Sequence, residues 1–154
     1  MYAYKDLQSL LNISVKWEKG LKDLYEVAEL GIKNKDSKDL IQFLLSKQNN
    51  ILDVIVNIDI HKFGQDEFVK FTPENHTEEL IPQHEISKNT EPDKILFLIK
   101  SYESKLEEYY KDISDHLVSK SQKELFDSLV TLKHVQLEAI ENYMKRHVNS
   151  TSIK

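Results

Sequence analysis

The chain is written twice. Displaced by 85 positions, Trp17-Glu18-Lys19-Gly20-Leu21 falls on Tyr102-Glu103-Ser104-Lys105-Leu106, and Tyr25 falls on Tyr110. The same displacement sets Lys38-Asp39-Leu40-Ile41 on Lys123-Glu124-Leu125-Phe126 and Leu44-Leu45-Ser46 on Leu129-Val130-Thr131. It also sets Leu52 and Ile55 on Leu137 and Ile140. One offset that spans two separate segments makes each repeat a two-segment unit with fixed internal spacing, and this constrains the architecture more than any other feature. It implies two helical hairpins related by a pseudo-two-fold axis. It also puts one glutamate of each copy, Glu18 and Glu103, at an equivalent, inward-looking place.

Each segment is spaced as a helix. Over residues 4–32, Leu7, Leu11, Ser14, Glu18, Leu21, Tyr25, Ala28 and Ile32 recur every three or four positions, and Glu18 lies inside this apolar stripe. A second helix is expected over 37–60, with Ile41, Leu44, Leu45, Leu52, Ile55 and Val56 facing the core and Asp36 with Asp39 as its cap. Thr90-Glu91-Pro92-Asp93 opens a third, its proline in the first turn where it is tolerated. Its stripe is Leu96, Ile99, Glu103, Leu106, Tyr110, Ile113 and Leu117, with Glu103 again inside. Ser121 and Glu124 read as the capping box of a fourth helix that ends near Arg146.

Between the hairpins, residues 61–91 show no sustained period and hold two of the three prolines. So long an irregular stretch makes sense as a crossover along the bundle, anchored by Phe63, Phe68, Val69, Phe71 and Ile81. The expected layout is all-α: one four-helix bundle over 1–146, with hairpin 4–60, crossover 61–90 and hairpin 91–146, then a polar, fraying tail over 147–154.

Composition narrows the function. Three glycines and three prolines in 154 residues permit long helices, and no apolar run approaches the ~20 residues of a membrane span. Without cysteine there is no disulfide framework, thiolate nucleophile or Cys-type metal site. A net charge of −5, with no basic stripe, points away from nucleic acid. The expectation is a soluble cytoplasmic protein with no membrane or nucleic-acid partner. Its oligomeric state is left open, a homodimer being one option.

The pairs Glu18 with Tyr25 and Glu103 with Tyr110 resemble the first- and third-helix signature of the rubrerythrin-like branch of the ferritin-like superfamily, a glutamate followed seven residues later by tyrosine. The resemblance covers about residues 7–143 and implies a ferritin-like bundle with a long crossover. In that family the second and fourth helices each supply Glu-x-x-His to a di-iron centre. Carried over, the motif falls on Ser46-Lys47-Gln48-Asn49 and on Thr131-Leu132-Lys133-His134. Glu18, Glu103 and His134 match the family's ligands, whereas Ser46 and Thr131 stand where bridging carboxylates belong. Two dications about 3.5–4 Å apart repel strongly, and neutral hydroxyls neither offset that charge nor bridge well.

The resemblance therefore implies a degenerate di-iron site and a non-redox binding or assembly module, with no cofactor. The alternative is a metal-binding protein or oxidoreductase with one divalent metal (Fe, Mn or Zn) on Glu18, Glu103 and His134. A proton-transfer enzyme using both glutamates is a third class. Structurally, the two carboxylates are expected to pair with Lys47, Lys133 or the hydroxyls of Tyr25 and Tyr110. Trp17, Tyr102, Tyr109 and Tyr110 read as core packing rather than an electron path. His61, His76 and His84 read as scattered loop histidines.

Overall fold

The periodic segments form four long helices in the computed structural model, which describes residues 3–59, 62, 68–71 and 92–152. They are α1 (Leu7–Gly31), α2 (Lys35–Val56), α3 (Pro92–Asp115) and α4 (Lys120–Ser152). Two short strands, β1 (Ala3–Asp6) and β2 (Phe68–Phe71), pair antiparallel with Ala3 opposite Phe71 and Asp6 opposite Phe68.

The ribbon departs from the all-α expectation at both partners. Residues 3–6 are extended, and helix α1 starts only at Leu7 because the Asp6 carboxylate caps it, accepting from the Ser9 N–H at 2.7 Å. Within the stretch expected to be irregular, Phe-Val-Lys-Phe has the aromatic and β-branched character of a strand and finds a partner far away in sequence. The expected anchors Phe63 and Ile81 lie outside the described residues.

The helix starts also differ in detail. Asn34, rather than Asp36, caps α2, its Oδ1 accepting from Asp36 N at 2.8 Å and Ser37 N at 3.3 Å. α4 opens before the Ser121–Glu124 pair, with Ser119 Oγ 3.5 Å from Gln122 N and Ser119 O accepting from Lys123 N at 2.9 Å. At its other end α4 runs on to Ser152, past the end expected near Arg146, and no glycine or proline interrupts it.

Each hairpin packs within itself, α1 on α2 and α3 on α4, and the hairpins meet as α1 on α3 and α2 on α4. Hydrogen bonds fix the directions. Glu18 is level with Tyr110 and Tyr25 with Glu103, so α1 and α3 run antiparallel. Ser37 is level with Tyr143 and Gln48 with Gln136, so α2 and α4 do as well. It follows that α2 ends and α3 begins at opposite ends of the bundle.

The core is a column of Leu, Ile and aromatic side chains. At one level Trp17 meets Tyr109 edge-on, with centroids 4.6 Å apart at 66°, and the Tyr109 hydroxyl donates to Leu10 O at 3.0 Å. Such pairs add about 0.5–1.5 kcal/mol beyond the area they bury, which suits a packing role. Among the described residues no helix is long and apolar enough to cross a membrane.

Candidate functional site

Halfway along the bundle the apolar column is interrupted by a polar centre to which all four helices contribute. α1 brings Glu18 and Tyr25, α3 brings Glu103 and Tyr110, α2 brings Gln48, and α4 brings Lys133 and Gln136. All seven side chains are fully buried. The 85-residue offset relates Glu18 to Glu103, Tyr25 to Tyr110 and Gln48 to Lys133, so the centre is built from equivalent positions of the two repeats.

Lys133 is the hub. Its Nζ donates to Glu18 Oε1 and to Gln48 Oε1 at 3.2 Å, and lies 3.3 Å from Glu103 Oε2. The ammonium group thus makes two hydrogen bonds and a third contact, to Glu103, that is ionic only. Gln48 Nε2 donates to Glu18 Oε1 and to the Glu18 carbonyl, both at 2.8 Å, and Gln136 Nε2 donates to Gln48 Oε1 at 3.1 Å.

The tyrosines cross between repeats. Tyr110 donates to Glu18 Oε2 at 2.8 Å and Tyr25 donates to Glu103 Oε1. Burial, and then the adjacent carboxylates, push both phenols well above their ordinary range and keep them protonated donors.

The two glutamates are equivalent in sequence but not in environment. Glu18 accepts three hydrogen bonds on its two oxygens. Glu103 accepts one, on Oε1, while its Oε2 feels the Lys133 charge at 3.3 Å without an aligned hydrogen bond. Burial raises the Glu103 carboxyl to about 7, opposed by Lys133 and reinforced by the negative charge of Glu18. With Glu103 protonated the centre is a neutral Glu18–Lys133 pair. With Glu103 ionised it carries one uncompensated negative charge away from bulk solvent.

Of the three sequence candidates, the structure brings Glu18 and Glu103 together and leaves His134 out. The His134 side chain is 67% exposed, with Nδ1 3.4 Å from Glu107 Oε2 on the outer face. A metal held jointly by Glu18, Glu103 and His134 therefore has no assembled ligand set here, because His134 follows Lys133 by one residue and a helix turns about 100° per residue. Ser46, Asn49 and Thr131 are exposed too, the Thr131 hydroxyl bonding back to Asp127 O at 3.1 Å. Among the described residues no three His, Cys, Asp or Glu side chains are grouped to hold a metal ion.

Around the centre the buried positions are 48 and 51 on α2 and 133 and 136 on α4, occupied by Gln48, Ile51, Lys133 and Gln136. Lys133 and the tyrosine hydroxyls are among the partners expected from sequence; Gln48 and Gln136 are not. A signal for Gln48 exists, since Ile41, Leu44, Gln48, Ile51 and Ile55 follow the 3–4–3–4 helical spacing.

Fold and centre together define a four-helix bundle with a buried, charge-bearing hydrogen-bond network at its middle. Compared with known proteins, the chain matches no family model, no curated protein and no solved structure.

Proposed function

We infer that the chain is a ferritin-like, rubrerythrin-related bundle that has lost the di-iron centre and serves as a non-redox binding or assembly module. The observation that carries this reading is the position of Lys133. Its ammonium group lies between the two core glutamates, in the space a shared cation would need, donating to Glu18 and Gln48 and ion-paired with Glu103. Gln48 fills the equivalent place in the other repeat. A tethered single charge balances one carboxylate, and the other can take a proton instead. Two dications would have to expel that ammonium from a buried site and would still lack bridging anions.

Elemental analysis of protein purified without chelator or affinity tag tests the reading. Well under two irons per chain is expected, with no oxo-bridged di-iron absorption. About two irons per chain with that absorption would overturn it.

A further inference from the structure

Outside the bundle, α2 and α4 enclose a cleft of about 1070 Å³. Its α2 edge carries Asp36 and Asp39, and its α4 edge carries Lys145 and Arg146. The floor includes Phe43, 41% exposed, opposite the small side chain of Ala139. The apolar line continues on the same two helices in Val135, one turn before Ala139, and in Val54, three turns beyond Phe43.

These groups have a definite height along the bundle. Ser37 is level with Tyr143 and Gln48 with Gln136. By the same antiparallel register Asp36 is level with Lys145, Asp39 with Asn142, and Phe43 with Ala139. One rim is thus acidic and the other basic at the same height, with a large apolar side chain facing a small one below them.

We propose that this α2/α4 face binds a second copy of the same chain about a two-fold axis parallel to the bundle. Rotation about such an axis lays α2 of one copy on α4 of the other without changing heights. Asp36 and Asp39 of each copy then oppose Lys145 and Arg146 of its mate, and each Phe43 enters the hollow over Ala139. Interfaces of this isologous kind are satisfied twice by one pair of complementary patches. A two-fold perpendicular to the helices and level with this cleft would lay α2 on α2 and bring like charges together, which electrostatic complementarity disfavours. The proposal names the partner for the assembly role inferred above. It stands on the outer face rather than the buried centre, so it can fail while the reading of the centre holds.

The test is sedimentation equilibrium on the full chain and on two charge-reversal variants, Asp36→Lys with Asp39→Lys and Lys145→Glu with Arg146→Glu. The parent is expected to be dimeric, and each variant alone should self-associate at least about tenfold more weakly while keeping its helical circular dichroism. Mixed one to one, the variants should form a heterodimer, since each then supplies the rim the other lacks. A parent that stays monomeric at several hundred micromolar overturns the proposal, as does a mixture that gains no dimer. If either variant fails to fold, cysteine pairing replaces it, because the chain has no cysteine of its own. Chains carrying Asp39→Cys and Asn142→Cys should form a mixed disulfide faster than either forms a disulfide with itself, and equal rates would refute the axis.

Discussion

Replacing Glu103 with glutamine isolates the electrostatics of the centre. The folded Glu103 carboxyl titrates near 7 against an ordinary value of 4.5, because burial outweighs the attraction of Lys133. The folded state therefore holds this proton more tightly than the unfolded chain. Below about pH 4.5 the group costs nothing; as pH rises from there to 7 the unfolded chain ionises first, and stability falls. The difference, about 7 less 4.5, corresponds to roughly 3 kcal/mol at 1.36 kcal/mol per unit, fully expressed above pH 7.

Glutamine resembles the protonated acid in shape and charge and leaves the Glu18–Lys133 pair neutral. Like that acid, it offers only one good acceptor to Tyr25 and Lys133. Glu103→Gln should then match the parent within about 1 kcal/mol at pH 5 and exceed it by about 2–3 kcal/mol at pH 8.5. Urea unfolding of both proteins at pH 5, 6, 7 and 8.5 measures this, and taking their difference cancels the titration of the six histidines. A difference that stays flat with pH, or a loss above about 2 kcal/mol at pH 8.5, would refute the idea that Glu103 carries the unbalanced charge.

Lys133→Met removes the hub and leaves two buried carboxylates facing each other, so a loss of about 3–5 kcal/mol is expected at pH 7.5, shrinking at pH 5 where protonation relieves them. Urea melts at the two pH values decide, and an equal loss at both would mean that Lys133 acts through packing alone. His134→Ala should change stability by no more than about 0.5 kcal/mol and leave divalent-metal affinity by calorimetry unaltered, as befits an exposed residue. A tenfold fall in affinity would put His134 back among the ligands.

Much of this architecture is legible locally. Helical periodicity depends on neighbours three and four residues apart, so the stripes that hold Glu18, Tyr25, Glu103 and Tyr110 locate four inward-facing groups before any packing is known. The 85-residue offset then forces the two halves into equivalent roles. Reading the polar positions as Ser46 and Thr131 instead of Gln48 and Lys133 is an error of two residues, about 200° of helix, which moves a side chain from core to solvent. The spacing of Ile41, Leu44, Ile51 and Ile55 already puts Gln48 on the inner face of α2. Only the packed bundle brings Gln48 level with Glu18 and Lys133.

The remaining features are non-local for similar reasons. The β1–β2 ribbon joins segments more than 60 residues apart, and β2 lies in a stretch with no sustained period of its own. The tyrosines reach the opposite repeat's glutamate because α1 lies antiparallel to α3, an arrangement that spacing within one helix cannot express. Glu18 and Glu103 are interchangeable as letters. Their surroundings differ only when Gln48, Lys133 and Tyr110 converge on Glu18 and leave one oxygen of Glu103 without an aligned donor, which depends on groups that three other helices bring in.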